Sequence, residues 1–278
     1  MKKKQYFCTI FIAPSVTCIL LYNECADPKV TFFNTEILIM EQSYTSTPIK
    51  VAVLIDGGYF MKRYNRLYNG NGDKSAETIV DDLYTIAHAH VGKNNYLYRI
   101  FYYDCAPFSK KVHNPISGIC IDFSKTPTAL RQEQIIEALK RKRKVALRLG
   151  TLKDNKNWNL RQEITKKLIK REITIDQVTA DDVQYDLRQK GIDMKIGVDI
   201  ASLALKKFVD KIVLIAGDSD FVPAAKLARR EGIDFVLDPM HSQHVENSLY
   251  EHIDGLRSIP MYYQIPPKKR TSKKNVVE

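Results

Sequence analysis

Residues 211–221 constrain this chain most: an unbroken apolar run, Ile212-Val213-Leu214-Ile215-Ala216, ends at Gly217-Asp218-Ser219-Asp220-Phe221. A short β-branched run without polar interruption reads as a strand buried on both faces, which calls for a parallel sheet covered by helices on either side. Two carboxylates follow where the chain leaves the sheet. Open α/β sheets bind ligands in the crevice beyond the carboxyl ends of their strands, so paired acids here point to a divalent-cation site. The competing role is a helix cap. Asp220 precedes a helix with Pro223 in its first turn and 224–230 behind it, a common arrangement for a capping acid. That role leaves Asp218 unexplained.

The pattern occurs twice. Residues 50–55 form a second buried-strand run that stops at Asp56-Gly57-Gly58. A turn uses the same residues, but two strands of one sheet each ending in Asp favour a site. Between them, residues 198–209 carry apolar side chains at helical spacing, with Asp199 near the start. An acid there also suits the positive end of the helix dipole. Asp193, in Lys190-Gly191-Ile192-Asp193, precedes Asp199 by six residues, about 600° of helix. The two cannot share one helix face, so Asp193 is expected to approach from the connection before the helix.

As an ordered set, Asp56-Gly57-Gly58, Lys190-Gly191-Ile192-Asp193 with Asp199, and Gly217-Asp218-Ser219-Asp220-Phe221 resemble the NYN domain in its LabA-like branch, within the PIN-like superfamily of metal-dependent nucleases. The likeness runs from about residue 50 to about residue 257. It implies an α/β fold: a Rossmann-like parallel sheet flanked by helices, with an inserted α/β segment and an acidic pocket at the strand ends. Asp56, Asp199 and Asp218 take the places of the central acids, with Asp193 and Asp220 beside them. The family often has Asn three residues after the first acid; this chain has Tyr59, a poor ligand for Mg²⁺.

Chemistry supports the likeness. Carboxylates converging on one pocket repel one another unless a cation neutralises them, and Mg²⁺ or Mn²⁺ prefers oxygen ligands. Such an ion polarises a phosphodiester, activates water and stabilises the leaving oxygen. Ser219 offers a hydroxyl to phosphate or is a solvent-facing turn residue. No nucleophilic Ser or Cys constellation competes. His241 and His244 have no further ligands within sequence reach, and read as a surface loop rather than a zinc site.

The chain carries a formal charge of +11, which favours a polyanionic partner. Lys140, Arg141, Lys142, Arg143 and Lys144 form a basic helix end running into a strand, read as a phosphate-backbone rail beside the plainer reading of a solvated helix face. A second basic run, 166–171, falls on a helix, while Tyr96, Tyr98, Phe101, Tyr102 and Tyr103 belong to a core strand. The expected partner is nucleic acid, RNA ahead of DNA, with no membrane and with room for a homo-oligomer.

Three domain-level segments are expected. Residues 1–49 form an N-terminal extension outside the core, with Met40 as the working start; residues 50–260 form the core domain, with an insertion at about 105–179; residues 261–278 form a basic, disordered tail. Within the core, residues 129–144 read as a helix and 145–149 as a strand. Residues 179–191 read as a helix started by Thr179-Ala180-Asp181-Asp182 and ended by Gly191. The five cysteines show no paired spacing, which points to a reducing, cytoplasmic setting. Together these features predict a Mg²⁺/Mn²⁺-dependent endoribonuclease with Asp56, Asp199, Asp218 and Asp220 as its catalytic acids. The alternative is a module of the same fold that binds RNA or protein without cutting.

Overall fold

The computed structural model describes residues 5–13, 16–23, 36–41, 47–68 and 74–260, with side chains for 47–68 and 74–260. The expected basic tail and the Lys2-Lys3-Lys4 start lie outside the described residues. The chain divides into two units, Met1–Thr47 and Pro48–Glu278. In the first, β1 (Gln5–Ala13), β2 (Val16–Asn23) and β3 (Glu36–Glu41) form an antiparallel sheet of their own.

The second unit runs β4 (Lys50–Asp56), α1 (Gly57–Tyr68), α2 (Ala76–Val91), β5 (Tyr96–Cys105), the short pair β6 (Lys111–His113) and β7 (Cys120–Asp122), α3 (Pro127–Lys140), β8 (Val145–Leu160), α4 (Gln162–Ile169), β9 (Val183–Lys190), α5 (Ile192–Leu205), β10 (Lys211–Ile215), α6 (Val222–Arg230), β11 (Asp234–Asp238), α7 (Asn247–Tyr250) and β12 (Gly255–Leu256). Seven strands form one sheet in the order β12-β11-β10-β4-β5-β8-β9. All neighbours are parallel except β8 and β9.

Alternation along the strands builds two cores. Val51, Val53 and Ile55 face α1, α2 and α3, while Ala52 and Leu54 face α5 and α6. Burial on both faces explains why the strand runs lack polar interruption. From β4 the chain adds β5, β8 and β9 in one direction. Helix α5 then carries it back to β10 on the other side of β4. The order therefore reverses between β4 and β10, the place where an open sheet leaves a crevice at its carboxyl edge.

One expected element needs correction. Residues 183–190 are not a helix but strand β9. Thr179 begins only a single 3-10 turn, Ala180–Asp182, in which Asp182 accepts hydrogen bonds from the Thr179 N–H and hydroxyl at 2.8 Å each. Val183, Tyr185 and Leu187 alternate with polar neighbours, a period of two that belongs to a strand. The polar stretch 153–159 extends β8, pairing Trp158 with Tyr185 after a register shift. The inserted segment supplies β8 to the central sheet.

Candidate active site

Strand β4 brings Asp56 to the carboxyl edge of the sheet, immediately before α1. There its Oδ1 accepts the Tyr59 N–H at 3.0 Å, one of the donors that a helix start leaves open. Burial raises its carboxyl above the ordinary value; that hydrogen bond opposes the rise, and Asp193 and Asp104 add to it.

Asp193 lies inside the first turn of α5, not in the connection before it. The helix begins at Ile192 because Gly191 adopts φ 80°, a left-handed conformation that glycine takes without penalty. Burial raises the Asp193 carboxyl as well, and Asp218 and Asp220 push the same way. Asp193 thus feels the charge of Asp218 and Asp220, and Asp56 feels that of Asp193.

At the end of β10 the capping roles are exchanged. Asp218 is the cap, its Oδ1 accepting the Asp220 N–H at 3.2 Å at the start of the 3-10 turn Ser219–Phe221. Asp220 lies inside that turn, and α6 follows Phe221 without a side-chain cap. Capping thus explains Asp218 and leaves Asp220 exposed to solvent. Ser219 sits between them, half-buried.

Asp199 is held elsewhere. Its Oδ2 accepts from the Tyr103 hydroxyl at 2.8 Å and from Arg148 Nε at 2.9 Å, and Arg148 in turn lies over the Phe101 ring. Asp199 is further along α5 than Asp193, on a different side of the helix, and it pairs with β5 and β8 rather than with the other acids.

Asp104 was missed by sequence reasoning. It ends the apolar stretch Phe101-Tyr102-Tyr103 of β5, beside β4, and is buried. Burial raises its carboxyl, against hydrogen bonds from the Cys105 N–H, Gln132 and Tyr102. The signal was present, since an apolar strand ending in an acid is the same pattern that singled out Asp56 and Asp218.

Tyr59 acts as a tie. A Cβ on Gly217 would come within 2.2 Å of its ring, and its hydroxyl donates to the Pro239 carbonyl at 2.8 Å. His241 Nε2 lies 3.2 Å from the Ile259 carbonyl, in keeping with a loop position.

The basic run lies toward the opposite end of the strands from the acids. Lys144 immediately precedes Val145, which pairs with Ile100, whereas Asp56 pairs with Tyr103 further along the same neighbour strand. Lys140, Arg141, Lys142, Arg143 and Lys144 therefore lie toward the amino edge of the sheet, Lys144 about 13 Å along the strand direction from the level of Asp56. Lys140 pairs with Glu137 at 2.5 Å, Lys142 with Asp81, and Lys144 with the Leu97 carbonyl. The run is a helix end leading into a strand, as the sequence predicted.

All the gathered donors are carboxylate oxygens, which suit a hard divalent cation. Among the described residues, no three His, Cys, Asp or Glu side chains converge closely enough to enclose an ion. Mg²⁺ does not require that: it is commonly held by one or two carboxylates, with water and substrate phosphate completing its octahedron. Among the described residues, no helix is long and apolar enough to cross a membrane.

The NYN domain family model matches residues 117–256, just over half of the chain. The matched span holds Asp193, Asp199, Asp218 and Asp220, while Asp56 and Asp104 precede it in the same sheet. No curated protein matches. Among solved structures, a Vibrio parahaemolyticus protein of unknown function is 14% identical, with a TM-score of 0.41 over 77% of this chain and 95% of that one.

Proposed function

Because this chain belongs to the NYN domain family, within the PIN-like nuclease superfamily, we propose that it is a cytoplasmic, Mg²⁺- or Mn²⁺-dependent endoribonuclease of the LabA-like branch. The observation that carries this reading is that the end of β4, the first turn of α5 and the end of β10 carry Asp56, Asp193 and Asp218 to the crevice where the strand order reverses. Like charges gathered in one place are costly, and a bound cation offsets that cost. Asp193 and Asp218 would hold it, with water and substrate phosphate completing its shell, and Asp56 adds negative charge beside Asp193. When bound, the ion supplies Lewis-acid polarisation of the phosphodiester and activation of water.

The chain's own residues do the rest. Tyr59 and Asp220 donate backbone N–H groups to Asp56 and Asp218, which fixes the direction of each carboxylate before a ligand arrives. Such preorganisation is what catalytic positioning requires. Ser219, in the same turn, carries a hydroxyl able to donate to a phosphate oxygen. The net charge of +11 draws the polyanion in.

One observation favours a second reading, binding without cutting: Asp199 is taken up by Arg148 and Tyr103, so the acid set is smaller than the sequence implied. The deciding experiment is cleavage of labelled single-stranded and structured RNA with Mn²⁺, Mg²⁺ or EDTA, beside Asp218→Asn. Metal-dependent cutting lost in the variant supports the nuclease. RNA bound but uncut in every metal supports the binding module.

A further inference from the structure

A cleft of about 600 Å³ adjoins the acids on the side of α1, α2 and α3, a size that suits a small molecule or a single nucleotide. Asp104 lies at its base, Leu130 and Ile135 give it apolar wall, and the amides of Asn65, Gln134 and Gln189 line it. The Asp104 carboxylate is already satisfied, by the Cys105 N–H at 2.7 Å, Gln132 at 3.1 Å and the Tyr102 hydroxyl at 3.3 Å. None of the three lining amides is hydrogen-bonded to another described group. They are the groups left to recognise something.

We propose that this cleft takes one unpaired nucleobase of the substrate strand, and that Gln134, with Asn65 and Gln189, reads its edge. The proposal rests on the nucleic-acid reading above. A carboxamide offers a donor and an acceptor in one plane, which matches the hydrogen-bonding edge of a base. Single-stranded RNA is commonly recognised through splayed bases whose faces meet side chains and whose edges meet polar groups. The apolar wall supplies the first contact and the amides the second.

Position ties the cleft to the acids. Gly57 and Gly58, which directly follow Asp56, also line it. Gln189 reaches over them from β9: its amide atoms lie 3.6 and 3.7 Å from the place a Cβ on Gly58 would take. A strand whose phosphate lies at Asp56 can therefore drop an adjoining base into the cleft. Lys74, ion-paired with Asp82 at 3.1 Å, and Arg131 belong to the same lining. A base already paired in a duplex has its edge occupied, so the cleft selects unpaired substrate.

The test uses the full chain in EDTA, so that binding is read apart from cleavage. Labelled RNA octamers of A, C, G and U are titrated by anisotropy, each also annealed to its complement. The expected result is a preference of about tenfold or more for one octamer over the weakest, within the range of a bidentate amide–base contact. Annealing should abolish the preference, and Gln134→Ala should weaken the favoured octamer about tenfold while leaving the weakest unchanged. Leu130→Trp, at a residue 45% exposed, fills the cleft and should bring all four octamers to one affinity, with unfolding at the wild-type temperature showing the fold intact. Equal affinities in the wild type, a preference kept in Leu130→Trp, or no binding of any octamer would overturn the proposal. Preference without metal-dependent cutting would preserve the cleft and sink the nuclease; cutting with equal affinities would do the reverse.

Discussion

The Tyr59 ring occupies the space that the absence of a side chain at Gly217 leaves open: an added Cβ would lie 2.2 Å from Tyr59 Cε2. Through this contact and its bonds to Asp56 and Pro239, Tyr59 joins the ends of β4, β10 and β11. Gly217→Ala is expected to destabilise the protein by about 1–3 kcal/mol, the usual cost of overfilling a packed contact. A urea titration reads this as a lower midpoint at unchanged slope. A wild-type midpoint would show that the ring moves aside freely.

Asp199 and Asp218 should respond differently to metal. At a hundredfold excess over Kd, a ligand of the folded state stabilises it by about 2.7 kcal/mol. Wild type and Asp199→Asn are both expected to show the resulting rise in melting temperature with Mn²⁺, whereas Asp193→Asn and Asp218→Asn lose it. Loss in Asp199→Asn as well would return Asp199 to the cation site.

The raised carboxyl of Asp56 has a stability consequence of definite sign. Burial makes the folded state hold this proton more tightly than the unfolded state does. The contribution is therefore fully present below the unfolded value of 3.8 and is lost as pH rises through the folded value. Asp56→Asn, which retains an acceptor for the Tyr59 N–H, should be more stable than wild type at neutral pH in EDTA and gain nothing under acid conditions. Equal stability at neutral pH would mean that water screens the carboxylate fully. The same variant should fail to cleave RNA.

The β8–β9 arm should respond to acid in the opposite sense. Asp154 accepts the Tyr185 hydroxyl at 2.6 Å and Lys110 at 2.9 Å, which hold its carboxyl down at about 2 and push the Tyr185 phenol up to about 12. The support from Asp154 is present above its unfolded value and is lost as pH falls toward about 2. Trp158, the sole tryptophan of the chain, lies 5.4 Å from the Tyr185 ring and reports locally. Its emission should stay level from neutral to mildly acid solution and change in strong acid. Asp154→Asn should remove that step; an unchanged step in the variant would place its origin elsewhere.

Much of the sheet was legible because burial on both faces leaves a plain signal. The runs ending at Asp56 and Asp218 could be read as strands, and the acids beyond them as neighbours, with no knowledge of what packs where. Residues 183–190 were misread because Thr179 and Gly191 resemble a helix start and stop, while the alternation of Val183, Tyr185 and Leu187 is muted on a strand exposed along one face. Asp193 and Asp199 show another limit: sequence separation placed them on different sides of α5 but did not reveal which side meets the other acids. That choice is made by Arg148 and Tyr103, more than 50 and 90 residues away by hydrogen-bond separation. The basic run was legible as charge, yet its distance from the acids depends on strand direction, which composition does not carry.

The late arrival of β10 beside β4 has a bearing on synthesis. Residues 211–215 fill the space next to the first strand of the central sheet only after β5, β8 and β9 exist. A chain still emerging from the ribosome thus has an open slot beside Asp56 and lacks Asp218 and Asp220. Pairings of such long range form late in folding. The acid set proposed above is therefore incomplete until Asp218 and Asp220 have been made and β10 has paired with β4.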